Sequence, residues 1–495
     1  MKKISWFNMF LCLLMVCQLL LLPVCATEAT PSETDAAAAS GYTAEQLGDV
    51  TVTSGCRTIE AQVPLGGSNR VAKTAQAAFI FEVNTNTVIH SYNPDLKLSP
   101  GVLAKLVTAI VAIENGGLDK ELTVNSMSYQ SLPGSAVRIN AGLKEGEKMT
   151  LWDMLHCMIM EWANDAAVTI AESVAGSQGN FVNMMNEWVQ EAGCTSTKFT
   201  NCHGVSAAEA TTTARDMVRI YQKACRNSTF KELLATTAYT IEPTNKTDTE
   251  RKLRANNYLM EEYIMGNKYN YDGVTTGFAP YGDNYGAHMV CTAETGGMSF
   301  VIVLLGAERK FAENGWQPSY YGNYEEVWDL LDFAFDGYKH CRLLHEGQSL
   351  YQFSVANGEN QVVAQCTTAM DAVLPANARM KNLLYKYTVK NGGLTAPIAK
   401  EEPIATLQIW YQNSCIAETE LCAMSSVRAV TDMNLTIGSD GTVGGANIGK
   451  ILAFVGIVFL VIFIPFAIYL IVNNIRRTVA RNKRRRRRQS RRRSR

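Results

Sequence analysis

The chain has 495 residues, 47% of them hydrophobic and 19% charged, which is a typical composition for a globular protein with room for two or more cores. Its formal net charge of zero conceals an asymmetry: residues 27–450 contain 31 basic and 46 acidic residues, a net charge of −15, and residues 476–495 contain twelve Arg and one Lys without an acid. An acidic body repels phosphate backbones, so we expect it to bind no nucleic acid.

The two ends of the chain predict export and anchoring. Residues 1–26 combine two early lysines, an apolar run and a small-residue cleavage site, the anatomy of a secretory signal peptide. Lipid attachment at Cys25 is the alternative, but the bulky Val24 disfavours it. Residues 451–472 are 22 uncharged, mainly apolar residues, enough for one transmembrane helix. The arginines that follow predict a cytoplasmic C-terminus and an extracytoplasmic main body.

The Arg-rich tail, residues 473–495, has more charge than a stop-transfer signal requires. Juxtamembrane basic residues attract anionic lipid headgroups by about 1 kcal/mol each, so we interpret the tail as a contact with the inner leaflet. Binding to an unknown acidic protein or to nucleic acid inside the cell is the alternative that the sequence leaves open.

Between these ends we predict a low-complexity arm over residues 27–70 and an α+β domain over residues 71–340. The predicted elements are a β-hairpin (77–83 and 87–92), a helix from Ser99 as N-cap to Gly116, helices over 150–160 and 164–175, a helix opened by Thr213, and strands over 288–293 and 299–305 around Gly296-Gly297. Strands from both ends of the domain therefore enclose a helical insert.

Short alternating runs over residues 341–425 predict a small all-β domain, followed by a linker over residues 426–450. The predicted strands are 351–355, 361–366, 383–389, 404–411 and 414–421. Neither cysteines nor histidines have metal-ligand spacing, so we expect no metal and no cofactor. Cys194 and Cys202 are candidates for a disulfide, and Cys157 is interpreted as a small core residue.

The helix near residue 105 contains the positions on which a catalytic function would depend. Lys105 lies one turn into it, where a lysine that activates a nucleophile belongs, and the position three residues earlier is Val102. A valine cannot attack a carbonyl carbon. The expected covalent chemistry therefore lacks its nucleophile.

The order of the hairpin, the lysine helix, the insert ending in Asn-Asp-Ala, the segment Phe199–Val205 and the run Asp272–Phe278 resembles the penicillin-binding D-alanyl-D-alanine carboxypeptidases. This resemblance implies a β-lactamase/transpeptidase-like domain, with an antiparallel sheet and a helical insert, followed by a small all-β domain. It also implies peptidoglycan stem peptides as the partner and a bacterial cell membrane as the location.

The three motifs of that family are Ser-x-x-Lys, Ser-x-Asn and Lys-Thr-Gly. Here the first retains Lys105 but has Val102 as its first residue, and the second retains Asn164 but has Trp162 as its first residue. The third is Thr275-Thr276-Gly277, which retains the substrate-binding Thr276 and Gly277 and lacks the cation for a substrate carboxylate.

Simpler roles stay open for the retained residues. Lys105 is either a leftover that pairs with an acid or a residual ligand-binding group, and Asn164 either caps its helix or touches a ligand. Trp162 either stacks on a sugar or packs into the core. Ser99 is a poor substitute nucleophile, because it is six residues from Lys105 and precedes Pro100.

Three functions follow as hypotheses. The first is an anchored, catalytically inactive family member that binds peptidoglycan or serves as a scaffold at the wall. The second is an active serine-type carboxypeptidase with an unorthodox site that trims stem peptides. The third is a wall-to-membrane anchor that works through the β domain and the basic tail.

Overall fold

The computed structural model of the chain describes residues 59, 62–67, 71–125, 130, 132, 134, 139–205, 209–260, 268–311, 318–430, 442–443, 446–447 and 469. The predicted signal peptide, the predicted membrane helix apart from Tyr469, and the Arg-rich tail lie outside these residues. Within the described part of the chain, no helix has the length and apolarity to cross a membrane.

A six-stranded antiparallel sheet forms the centre of the first domain, in the order β2-β1-β10-β9-β7, with β8 also paired to β9. Ala77 of the first strand pairs with Leu305 of β10, so strands from the two ends of the domain lie side by side. This confirms the predicted hairpin and the predicted closure. The strands are β1 Ala77–Glu82, β2 Thr87–Tyr92, β7 Val274–Phe278, β8 Tyr281–Gly282, β9 Gly286–Thr295 and β10 Met298–Ala307.

Helices cover both faces of this sheet, which is why all six residues of β1 are buried. The helices are α1 Ala104–Asn115, α2 Leu151–Met160, α3 Asn164–Ala175, α4 Gln178–Glu191, α5 Ala214–Ala224 and α6 Ser228–Ala235 on one face, and α7 Gly322–Gly337 on the other. Three small hairpins accompany them: β3 Glu121–Thr123 with β4 Lys148–Thr150, β5 Ala238–Ile241 with β6 Arg251–Arg254, and β11 Arg309–Phe311 with β12 Pro318–Tyr321.

The helix ends agree with the sequence signals in three cases. Thr150 and Asp153 form the predicted capping box of α2, Thr213 accepts a hydrogen bond from the backbone of α5, and α3 ends at Gly176 with a φ of 76°. The predicted start of the Lys105 helix is wrong. Gly101 has a φ of 49°, which an α-helix cannot continue through, so a 3₁₀ turn over Gly101–Leu103 precedes α1.

The second domain contains all five predicted strands, β14 Ser349–Phe353, β16 Val362–Cys366, β18 Leu383–Val389, β20 Pro403–Tyr411 and β21 Ser414–Ala423, in one sheet of order β14-β16-β21-β20-β18. The sequence reading missed β17, Met370–Pro375, which pairs with β13, Tyr338–Leu344. A short parallel pair, β15 Val355–Ala356 with β19 Leu394–Thr395, completes the domain. Separately, after Arg428, β22 Thr442–Val443 pairs with β23 Ala446–Asn447.

Residues 62–67, which fall within the predicted arm, contact the sheet. The backbone N–H groups of Leu65 and Gly66 donate to the carbonyls of Val88 and Ile89, at 3.1 and 2.6 Å. Leu65 and Gly66 therefore lie along β2, the first strand in the sheet order.

Gly204 lies directly against the turn that precedes α1. Its φ is 81°, and a Cβ at this position would be 1.9 Å from the carbonyl oxygen of Gly101 and 3.0 Å from the Cα of Val102. Both neighbours are backbone atoms, which cannot rotate away. Only glycine fits this position, and its fit holds residues 201–205 against the start of α1.

We expect Gly204→Ala to lower the free energy of unfolding by about 2–3 kcal/mol or more, because it combines a steric clash with a strained φ. The matched control is Gly179→Ala in α4, where an added Cβ meets open space and removal of a helical glycine changes stability favourably by about 1 kcal/mol or less. Urea unfolding of both variants checks this. Equal stability of the two variants would contradict the packing argument.

Candidate functional site

Lys105 is fully buried at the first turn of α1, and its ammonium joins two other parts of the helical layer. Its Nζ donates to Oδ1 of Asn164 at 2.6 Å and to the carbonyl oxygen of His203 at 2.6 Å. Burial lowers the pKa of Lys105 to about 7, although the nearby Cys202 and Asp165 act in the opposite direction. The alternative in which Lys105 pairs with an acid is wrong, because its partners are an amide and a carbonyl.

Asn164 is the first residue of α3, and the N-cap of that helix is Ala163, which has no side chain able to cap. The side chain of Asn164 points instead to Lys105. Next to it, the carboxylate of Asp165 accepts hydrogen bonds from the backbone N–H groups of Ala141 and Leu143. Those bonds fix the loop that precedes β4, and burial raises the pKa of Asp165.

The segment singled out in the sequence, Phe199–Val205, is held against α1 through backbone carbonyls. Thr108 donates from Oγ1 to the carbonyl of Cys202 at 2.7 Å, and Lys105 donates to the carbonyl of His203. The His203 ring is buried, and burial first and the Lys105 charge second lower its pKa to about 3. Its Nδ1 accepts from the N–H of Val205, which is consistent with a neutral imidazole.

Val102, at the nucleophile position, is only 2% exposed. Tyr285 lies next to it: a Cβ on Gly101 or on Gly282 would come within 2.5 Å of the Tyr285 ring, so the ring is clamped between the two glycines. Burial raises the pKa of the Tyr285 phenol, and the nearby backbone of Val102 acts in the opposite direction. A tyrosine therefore lies beside the backbone of the nucleophile position, where a substrate carbonyl would need a free donor.

His288 on β9 holds Tyr285 in this place. The two rings stack at 4.8 Å, and the His288 Nδ1 accepts from the N–H of Gly306 while its Nε2 reaches the carbonyl of Ser99 at 3.1 Å. Burial lowers the pKa of His288 to about 4, so it is neutral at physiological pH. Its position ties the sheet to Ser99, two residues before the 3₁₀ turn.

The third motif lies on β7 at a β-bulge, between the pairs Val274–Ala293 and Thr276–Thr292. The bulge turns two successive threonines to the same partner: Oγ1 of Thr275 lies 2.8 Å from Oγ1 of Thr292, and Thr276 also contacts Thr292. The hydroxyl of Tyr221 on α5 lies 2.8 Å from that of Thr276. Neutral hydroxyls thus occupy the place where the family has an ammonium.

The side chain of Asn257 leaves no space for a residue larger than glycine at position 277. A Cβ on Gly277 would lie 2.4 Å from Nδ2 of Asn257, which is buried and has no hydrogen-bond partner within the described residues.

β7 is the last strand in the sheet order, and β9 is the strand paired with it. Its other edge carries backbone donors and acceptors suited to an extended peptide.

Trp162 lies in the turn between α2 and α3, is half-buried and packs against the core of the helical layer. This position favours the packing interpretation. Its φ is 53°, a left-handed conformation that costs a bulky residue about 1–3 kcal/mol.

The remaining expectations concern metals and disulfides. Among the residues that the structure describes, no group of three or more His, Cys, Asp or Glu side chains could hold a metal ion. Cys194 and Cys202 are both free thiols, so the disulfide considered for them is not formed. Cys157 is buried, as interpreted.

Comparison with known proteins agrees with this architecture. The sequence profile described as D-alanyl-D-alanine carboxypeptidase matches residues 65–309, and that of the penicillin-binding protein 5 C-terminal domain matches residues 338–429. The chain is 25% identical over 381 residues to the D-alanyl-D-alanine carboxypeptidase DacF of Bacillus subtilis, covering 75% of this chain and 91% of DacF. It is 26% identical over 362 residues to DacC of Escherichia coli, covering 71% and 84%.

A solved structure of penicillin-binding protein 5 from Haemophilus influenzae covers 73% of this chain and 100% of its own, with a TM-score of 0.57 and 23% identity. The architecture is therefore the penicillin-binding protein α+β fold with a C-terminal β domain. The chain belongs to the D-alanyl-D-alanine carboxypeptidase family.

The structure brings Lys105, one turn after Val102, together with Asn164, and it places Thr275 and Thr276 next to each other on β7. Sequence reasoning missed Tyr285 and His288, and used His203 only as part of a motif. Tyr285 follows the loop residues Gly282–Asn284, and no motif or regular spacing in the sequence indicates that it belongs to the site. The glycines on either side of its ring were the available hint.

The depressed pKa of Lys105 gives a pH-dependent stability. Between about pH 7 and the unfolded value of 10.5, the unfolded chain binds a proton that the native chain lacks, so this group makes stability rise with pH, by up to about 1.4 kcal/mol per pH unit. We expect Lys105→Met to be less stable and to lose this rise between about pH 7 and 9. Parallel slopes for wild type and variant in urea unfolding would refute the shift.

Proposed function

We propose that the chain is a catalytically inactive, membrane-anchored member of the carboxypeptidase family that binds peptidoglycan stem peptides outside the bacterial cell membrane. The observation that carries this proposal is the pair Val102 and Tyr285: a buried hydrocarbon at the nucleophile position and a tyrosine ring packed against Gly101, the residue before it. Enzymes that act through an acyl intermediate lose on the order of 10⁶ in turnover without the nucleophile.

Two further contacts support inactivity. Lys105 retains its partners Asn164 and His203 but has no hydroxyl to deprotonate three residues earlier. Thr275 offers a hydroxyl already engaged with Thr292 in place of a cation. A substrate carboxylate would therefore lose a charge-assisted hydrogen bond at this strand.

Retention of binding is supported by the edge of β7 that pairs with no strand among the described residues, and by the intact Asn164, Thr276 and Gly277. Main-chain pairing along a sheet edge provides affinity for an extended peptide without any reacting group. The names of the relatives give the substrate chemistry, a peptide that ends in D-alanyl-D-alanine. Export by residues 1–26, the anchor at residues 451–472 and lipid contact by residues 473–495 belong to this proposal on the sequence argument alone.

We expect no covalent adduct when the full chain is treated with a fluorescent penicillin and separated by denaturing electrophoresis. Val102→Ser with Trp162→Ser and Thr275→Lys is expected to stay unlabelled, because the Tyr285 ring still packs against Gly101 beside the introduced serine. Adding Tyr285→Ala to these changes should then allow labelling.

The control for that series is the same set with Val102→Ala, which opens the site but has no nucleophile. A stable adduct on the wild-type chain that disappears when one serine is mutated would overturn inactivity and establish the active-peptidase alternative.

For binding, Thr275→Lys should raise affinity for a peptide ending in D-alanyl-D-alanine by about tenfold or more, because it supplies a cation for the terminal carboxylate. Thr275→Met, similar in length and uncharged, is the control. Calorimetry with the free acid and with the C-terminal amide of the peptide checks this, since the two variants should differ in affinity only for the free acid.

Loss of peptidoglycan sedimentation on deletion of residues 341–425, with unchanged peptide binding, would favour the wall-to-membrane anchor instead.

A further inference from the structure

A cavity of about 410 Å³, open to solvent, lies away from the site around Lys105, where the start of β7 meets α7. Tyr271 and Asp272 line it from the chain before β7, and Trp328, Asp332 and Phe335 line it from α7. None of these residues contributes to the site described above. The volume is in the range of cavities that hold small ligands or single side chains.

Three aromatic rings form the apolar part of the wall, and neighbouring contacts hold them in place. The Tyr271 ring lies 4.6 Å from that of Trp328 at an interplanar angle of 75°, and 6.3 Å from that of Phe335 at 22°. The indole N–H of Trp328 donates to the carbonyl of Tyr269 at 2.9 Å, and Phe335 packs edge-on against Phe300. The aromatic wall is therefore preorganised.

The charge of the cavity is negative. The Tyr271 hydroxyl donates to Oδ1 of Asp332 at 3.0 Å and so fixes that carboxylate at the cavity wall, while Asp272 provides a second carboxylate. No Lys, Arg or His is among the described residues that line the cavity. Burial raises the pKa of the Tyr271 hydroxyl, and the charges of Asp332 and Asp336 add to this effect.

Three of the other acids of α7 have partners within the chain. Glu325 pairs with Lys268, Asp329 pairs with Lys73 at 2.9 Å, and Glu326 accepts from the backbone N–H groups of Thr74 and Ala75. Asp332 has an ion-pair partner nowhere in the described chain, nor does Asp272. Asp336, one turn further along α7, likewise has no ion-pair partner among the described residues, and its charge acts on Tyr271.

We propose that this cavity is a binding site for a small organic cation, an ammonium group carried on methyl or methylene carbons. The rings provide cation–π attraction and contact for the carbon atoms, and the two carboxylates provide the counter-charge. A hard metal ion fits poorly, because it would require several more oxygen ligands in place of the aromatic wall. The proposed site shares no residue with the site around Lys105.

The test is calorimetry of the full chain in a non-ionic detergent, titrated at constant ionic strength with tetramethylammonium chloride, n-butylammonium chloride or tert-butanol. We expect saturable binding of at least one ammonium salt and none of the neutral alcohol. Tighter binding of tetramethylammonium would identify a choline-type headgroup as the ligand class, and tighter binding of n-butylammonium a lysine-type side chain.

Asp272→Asn combined with Asp332→Asn should weaken the ammonium affinity by about tenfold or more, and the exposed Asp119→Asn should leave it unchanged. Tyr271→Leu should weaken binding similarly, while Tyr271→Phe, which retains the ring, should retain it. Absence of saturable ammonium binding, equal binding of tert-butanol, or an unchanged affinity in the double Asn variant would overturn the proposal. None of these outcomes bears on penicillin labelling, so the two proposals fail separately.

Discussion

The buried amino group of Lys105 is the constraint on which the helical layer depends. A polar group removed from water is stable only where its hydrogen bonds are replaced, and here one amide and one backbone carbonyl replace them. Those two acceptors come from α3 and from the segment before α5, so one side chain of α1 fixes both against the same helix. Lys105 thus has a structural role that does not depend on a nucleophile three residues earlier, where the chain has a valine.

A second set of contacts lies around the turn that precedes α1. Tyr285 is clamped between two glycines and stacks on a neutral His288, which bonds to the backbone of Ser99 and Gly306. These contacts satisfy backbone groups near Val102 from within the chain. On β7 the hydroxyl groups of the threonine bulge bond to one another.

Much of the fold could be predicted from the sequence, because hydrophobic period and capping residues are local signals. The hairpin, the Thr150 capping box, the Gly176 stop and the five strands of the β domain were of this kind. The 3₁₀ turn at Gly101 was not, because its φ follows from contact with Tyr285 and Gly204, which are distant in sequence. The site divides in the same way: Lys105 and Asn164 stood in recognisable motifs, whereas the roles of Tyr285, His288 and Asn257 arise only from tertiary contacts. β17 was not predicted, because it pairs with β13, directly after α7, and not with the five predicted strands of the β domain.

The pairing of Ala77 with Leu305 has a consequence for biogenesis. More than two hundred residues must be synthesised after β1 before its central neighbour exists, and closing so long a loop is slow. In that interval the hairpin of β1 and β2, buried almost throughout in the finished protein, exposes an apolar strand edge. We therefore expect newly synthesised chains to depend on holding chaperones until β10 is available for pairing.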